Sequence, residues 1–261
     1  MDIEVAVAQF APGTDKDANL EQIREHAGSA ARRGARVLVV PEYSMFTAPK
    51  LDHRVVEAAE PLTGSFVGTL GEIAAGNDLI VVAGIAEAVP GEDRVSNTLV
   101  AVGTDGVLAT YRKLHLYDAF GFKESDVVRP GEIVEPETFT IADVTFGMQT
   151  CYDVRFPEVT RRVVDAGAHV LVLPAQWVPG PLKEDHWTTL VRARAIENTI
   201  YVAAADQAAP SGAGNSMIVD PMGVLLCALG ERTGVGTATV STSRIDEVRR
   251  KNPALELRRF R

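Results

Sequence analysis

Short β-branched runs recur along the whole chain and alternate with segments of helical spacing. The runs cover residues 4–10, 36–40, 79–85, 97–102, 107–111, 138–141, 144–148, 169–173, 201–205, 216–219, 224–228 and 237–241, each of ordinary strand length. Three neighbouring pairs read as hairpins. Asp105–Gly106 is a two-residue turn that supplies positive φ, Ala142–Asp143 joins a second pair, and Asp220–Pro221–Met222–Gly223 has Pro second and Gly fourth, the type I pattern. Helical spacing covers 19–33, 65–75, 157–166, 184–198 and 243–251, with Gly34 closing the first helix and Pro157 suited to a first turn.

Strand–helix alternation with hairpins mixed in predicts an α/β protein. Twelve strands are many for one open twisted sheet, so two mixed sheets packed face to face, with helices on the outer faces, are expected. A chain of 261 residues is ample for one such domain with a sizeable core. No linker, repeat or low-complexity tract divides it. Residues 86–94 and 118–137 are rich in loop formers, and the second stretch is long for a plain connection in a compact domain, as loops that carry function often are.

Charge narrows the function. The formal net charge of −9 disfavours sequence-independent nucleic-acid binding and adhesion to anionic membranes. The opening MDIEVAVAQF soon turns polar at Gln9 and does not read as a signal peptide, and no apolar run approaches the roughly 20 residues of a spanning helix. Two cysteines make no disulfide scaffold, so a reducing cytoplasm is the expected compartment. The tail from Arg244 to Arg261 holds seven basic and three acidic residues and reads as a solvated or subunit-contacting arm.

Three residues stand where a strand gives way to a loop or helix. Cys151, in GMQTCYDVRFPE, lies at a strand-to-helix turn, where backbone N–H groups can stabilise a thiolate and later an oxyanion. A lone cysteine is more often a buried structural thiol. Cys227, in the apolar run VLLCAL, is expected to be one. Glu42 follows a strand in VLVVPEYS and would make a base if partly desolvated. Lys113, in YRKLHLYD, would favour neighbouring anions and a negative tetrahedral intermediate. Singly, Glu42 and Lys113 read more readily as solvated surface groups. Five histidines, of which His115 and His186 are hardest to dismiss, leave a Cys–His pairing open by count, although no local signature supports it.

The surrounding segments resemble the nitrilase superfamily, the carbon–nitrogen hydrolases. The likeness rests on PEYS, RKLHLYD and CYDVRFPE, continues through HWTTLVRARAIENTIYVAAADQ and NSMIVDPMGVLL, and begins at AVAQF. CYDVRFPE and RARAIEN are its specific parts and are most similar to the omega-amidase and deaminated-glutathione-amidase branch. The resemblance implies a four-layer α-β-β-α sandwich over residues 1–261, paired into a homodimer or larger homo-oligomer, with the arm from about 243 available for subunit contact. It implies Glu42 as general base, Lys113 as stabiliser of the tetrahedral intermediate and Cys151 as nucleophile. Glu124, in FKESDVVRPG, matches the family's second carboxylate and would orient Lys113 or the substrate amine. The implied reaction hydrolyses a small amide to an acid and ammonia through a thioester, with water as the second substrate and no cofactor. No Cys/His cluster suggests a zinc site.

Tyr43, the Tyr152 backbone, Arg155, Gln176 and Trp177 are candidate substrate contacts. Arg155 would suit a substrate carboxylate, but its closeness to Asp153 suggests a structural ion pair across the turn. Three departures from the family's pattern bear on substrate choice: Asn215 in Gly214–Asn215–Ser216, Gln176 in PAQW, and the segment YSMFTAPK at 43–50. Nitrile or N-carbamoyl hydrolysis would use the same three residues. A non-catalytic binding module of this fold, or a redox thiol protein, are the rivals from other classes.

Overall fold

The computed structural model describes residues 2–260. Strands and helices follow the expected alternation. The first half runs β1 (Asp2–Gln9), α1 (Lys16–Arg32), β2 (Ala35–Val39), α2 (Arg54–Ala58), α3 (Ser65–Asn77), β3 (Ile80–Glu87), β4 (Val95–Gly103), β5 (Gly106–Arg112) and β6 (Val128–Arg129). The second half runs β7 (Thr138–Ile141), β8 (Val144–Met148), α4 (Pro157–Asp165), β9 (Val170–Ala175), α5 (Lys183–Asn198), β10 (Tyr201–Asp206), β11 (Met217–Val219), β12 (Leu225–Ala228), β13 (Gly234–Ser241) and α6 (Thr242–Lys251).

The strands form two sheets. One has the order β13-β1-β2-β3-β4-β5 with β6 paired to β4, and the other has the order β12-β11-β10-β9-β8-β7. β1, β2 and β3 are parallel, as are β8, β9 and β10. The three anticipated hairpins, β4–β5, β7–β8 and β11–β12, are antiparallel. Two short elements escape the sequence pattern, α2 and the two-residue β6, because neither is long enough to show a period.

Side-chain alternation along each strand sorts the core into three layers. In β1, Val5 and Val7 face the other sheet, while Ala6 and Ala8 face α1 and α3. Val37 and Val39 of β2 meet Val170 and Val172 of β9 between the sheets. Leu171 and Leu173 point the other way, toward Trp187 and Val191 of α5. Helix, sheet, sheet and helix therefore stack as an α-β-β-α sandwich. Gly147 of β8 lets α4 come close, since a Cβ there would fall 2.2 Å from Val163 Cγ1.

The arm beyond α6 lies on its own chain: Arg258 pairs with Asp165 of α4 at 2.7 Å, and Leu255 packs on the helix-side core. Cys227 departs from expectation. It is half-buried, on a strand at the open edge of its sheet where neighbouring Leu225 and Leu226 are exposed. The apolar run VLLCAL is a sheet edge and not a core strand.

Candidate active site

Parallel strands end on the same rim, so the residues that follow β2, β5, β8, β9 and β10 converge. Glu42, two residues past Val40, is 1% exposed, and Lys113, next after β5, is 2% exposed. Lys113 Nζ donates to Glu42 Oε1 at 2.9 Å and lies 2.9 Å from Glu124 Oε2. Glu124 sits in a single 3₁₀ turn inside the long loop, 3% exposed, and is held by the Tyr117 N–H at 2.6 Å and the Tyr43 hydroxyl at 2.9 Å. The ammonium is thus clamped between two carboxylates.

Cys151 arrives from the other sheet. It opens a 3₁₀ turn, Cys151–Arg155, with φ +44°, a strained left-handed conformation that turns the thiol out of the strand direction. Its Sγ faces the Gln176 carbonyl at 3.7 Å, and the Gln176 N–H donates to Glu42 Oε2 at 2.7 Å. Glu42 therefore spends one oxygen on Lys113 and the other on the backbone next to the thiol. Cys151 keeps 6% exposure, the only one of the four groups to exceed 3%.

The electrostatics follow from burial and charge. Burial pushes the Cys151 thiol well above its usual range, and the charge and hydrogen bonding of Glu42 push it further, against the pull of Lys113. Burial disfavours the Lys113 cation, but Glu124 and Glu42 outweigh it and hold the ammonium well above its ordinary value. Burial likewise disfavours the Glu124 anion, and Lys113 with the Tyr117 N–H overcomes it, leaving Glu124 below the usual carboxylate range. The resting site is a neutral thiol near the Lys113 ammonium and the Glu124 carboxylate.

Sequence reading missed the scaffold of this cluster. Asn97 Nδ2, on β4, donates to Glu42 Oε1 at 2.7 Å and to Glu124 Oε1 at 3.1 Å, while the Asn97 main-chain carbonyl accepts from the Lys113 N–H at 2.9 Å. Gln207 Nε2 binds the Glu42 carbonyl at 2.8 Å and Thr47 Oγ1 at 2.9 Å, tying the end of β10 to the loop after β2. Asp206, buried, accepts from the backbone N–H groups of Trp177, Gln207 and Ala213 at 2.7, 2.9 and 3.1 Å.

The expected Asp153–Arg155 ion pair is absent. Asp153 turns inward, taking the Tyr111 hydroxyl at 2.7 Å and the His115 N–H and Nδ1 at 2.9 and 2.8 Å. Arg155 turns the other way and lays its guanidinium 4.9 Å from the Trp177 ring centre and 5.9 Å from that of Tyr152. The 3₁₀ turn splits the two side chains to opposite sides. His115 is engaged by Asp153 and stacked on Phe156 at 3.6 Å, and His186 faces Arg155 Nη2 at 3.4 Å. Tyr43 and Trp177, read as substrate contacts, have their polar atoms committed, to Glu124 and to the Lys183 carbonyl.

A cavity of about 430 Å³ lies away from this cluster, between β5, α4 and residues 129–137, lined by Tyr111, Arg112 and Glu132 among others. It contains none of the four side chains. Among the described residues no group of three His, Cys, Asp or Glu side chains is arranged to hold a metal ion.

The family model described as Carbon-nitrogen hydrolase matches residues 4–250. The chain belongs to the carbon–nitrogen hydrolase family. A relative named deaminated glutathione amidase, from Escherichia coli O157:H7, is 37% identical over 257 residues, which is 98% of this hydrolase and 97% of that protein. Saccharomyces cerevisiae Nit3, a member of branch 10 of the nitrilase superfamily, superposes with a TM-score of 0.87 at 28% identity, covering 99% of this hydrolase and 97% of Nit3. A variant of the amidase from Nesterenkonia sp. AN1, with acrylamide added at its active site cysteine, superposes with a TM-score of 0.78 at 25% identity, covering 98% of this hydrolase and all of that chain.

Proposed function

We propose that this carbon–nitrogen hydrolase cleaves small amides to a carboxylic acid and ammonia through a Cys151 thioester. The observation that carries the reading is the placement of Glu42, with one carboxylate oxygen on Lys113 and the other on the Gln176 N–H beside the thiol. The raised thiol pKa supports loss of the sulfur proton during attack, with Glu42 taking it.

Sulfur attacks the amide carbon, and the proton passes to Glu42. Lys113 and the Tyr152 N–H hold the negative oxygen of the tetrahedral intermediate. Glu42 returns the proton to the departing nitrogen, the C–N bond breaks, and ammonia leaves behind a thioester. Water, deprotonated by Glu42, attacks that carbonyl. The C–S bond breaks, the acid is released and the thiol regains its proton. Glu124 keeps Lys113 charged and fixed through both halves. Gln176 and Tyr43 act through backbone and scaffold, and Arg155 binds a carboxylate of the substrate, a role supported by the missing Asp153 pair.

The reading extends to residues 1–261 as one hydrolase domain working in the cytoplasm as a homo-oligomer. Exposed Ile196, Met222, Val224, Leu225 and Leu226, near the β12 edge, support the last point.

The test is ammonia release from a panel of amides, nitriles and N-carbamoyl amino acids, with intact-mass detection of the acyl-enzyme. Amides are expected to turn over and to leave an adduct on Cys151. Cys151→Ala is expected to abolish turnover and Cys151→Ser to cripple it. Full amidase activity in Cys151→Ala would refute the mechanism.

A further inference from the structure

One buried cation has no role in the mechanism above. Lys183, at the first position of α5, is 6% exposed. Its Nζ lies 4.5 Å from the Trp177 ring centre, 4.8 Å from Tyr117 and 5.1 Å from Phe120, and donates one hydrogen bond, to the Tyr117 hydroxyl at 3.1 Å. Among the described residues no carboxylate pairs with it. A buried ammonium faced by ring faces and one phenol is far from compensated.

Arg155, only partly buried and with its Nη2 facing His186 Nδ1 at 3.4 Å, shares the shortage of anions. It too has no carboxylate partner among the described residues, its Nε is buried without a hydrogen bond, and it lies on the same Trp177 ring as Lys183. The two cations repel each other: after burial, Arg155 is among the groups that lower the Lys183 pKa, while Cys151 and Asp206 oppose it. Their shared ring begins one residue after Gln176, whose carbonyl faces the Cys151 thiol. The rim around them carries Phe120 and Leu182, both 69% exposed. Two close, unpaired cations at the mouth of a hydrolytic site are stabilised together only by an anion that comes from outside.

We propose that Lys183 is a specificity-determining residue that, with Arg155, holds an anionic group of the substrate remote from the scissile amide. The inference rests on the amidase reading and adds a residue to it. The rival role for Lys183 is scaffolding. Tyr117 also holds Glu124 through its N–H, so a lysine that merely fixed Tyr117 would affect every substrate alike.

The experiment compares glutaramate with pentanamide, an uncharged amide of the same chain length, in the wild-type protein, Lys183→Met and Lys183→Arg. Glutarate binding is measured in parallel by calorimetry, and thermal unfolding checks that each variant folds. Lys183→Met is expected to lose about 10- to 100-fold in kcat/KM for glutaramate, through KM, and a similar factor in glutarate affinity. Pentanamide turnover is expected to stay within about twofold, and Lys183→Arg to restore most of the glutaramate preference. Proportional losses for both amides, or unchanged glutarate binding, would overturn the proposal. A wild-type protein that hydrolyses neither amide yet binds glutarate through Lys183 would refute the amidase reading and uphold the Lys183 assignment.

Discussion

Gly84 lies directly against Glu42: a Cβ on Gly84 would fall 2.8 Å from Glu42 Cα and 2.7 Å from the Tyr43 N. Glu42 is seated on bare backbone of β3. Gly84→Ala is expected to destabilise the fold by about 1–3 kcal/mol and to lower kcat by moving Glu42 off Lys113. Denaturant unfolding and amide turnover measure the two effects. A variant with wild-type kcat would show that Glu42 tolerates displacement.

Thiol titration follows from the charges around Cys151. The Glu42 charge raises its pKa and Lys113 lowers it. Glu42→Gln removes the raising charge, so thiolate forms at lower pH than in the wild type even though turnover is lost. Lys113→Met shifts it upward. Thiolate absorbance near 240 nm, followed against pH, reads both; shifts in the same direction would contradict the arrangement.

Asn97 holds both carboxylates of the clamp through one amide nitrogen. Asn97→Ala removes a neutral donor shared by both carboxylates and leaves their spacing to Lys113, with Glu42 still on the Gln176 N–H and Glu124 on Tyr117 and Tyr43. The expected loss is about 10- to 100-fold in kcat with KM little changed. Steady-state kinetics decide it, and a loss confined to KM would assign Asn97 to substrate binding.

Binding of acid-bearing amides is expected to weaken with rising pH. The Lys183 pKa lies below its usual 10.5, first because of burial and also because of Arg155; Cys151, Asp206 and Glu184 act against that shift. Tyr117, which faces it, has its own pKa raised by burial and by Cys151. As pH rises through the lowered value the ammonium becomes neutral, so KM for glutaramate climbs at a pH where an exposed lysine would still be charged. KM for pentanamide should not follow. Parallel pH profiles for the two amides would count against it.

Asp153 is fully buried and takes three hydrogen bonds from β5 and the loop after it. Asp153→Asn cannot accept all of them with both oxygens and is expected to cost roughly 2–4 kcal/mol. Tyr111→Phe removes one bond and should cost less, about 1 kcal/mol. Chemical denaturation of both variants orders them.

The sheets, the three hairpins and the convergence of Glu42, Lys113, Glu124 and Cys151 were legible because each rests on a local pattern: β-branched runs, turn dipeptides, and short family segments at strand ends. Asn97 was hidden. It lies inside the strand SNTLVAV, and its partners come from 55 and 27 residues away, so nothing in its neighbourhood marks it. Lys183 was hidden for the same reason, as its three rings come from two separate stretches. Asp153 and Arg155 misled because nearness in sequence suggested a pair, whereas a 3₁₀ turn sends neighbours two apart to different sides. Cys227 misled because an apolar run does not reveal whether its strand is central or at an edge.

β13 pairs with β1 along its full length, from Asp2 opposite Ser241 to Gln9 opposite Gly234, and Gln9 Nε2 also binds the Gly230 and Arg232 carbonyls at 2.9 and 3.0 Å. β1 therefore depends on a strand far along the sequence to cover this edge of its sheet. A product clipped ahead of residue 234 keeps β1 as an open edge.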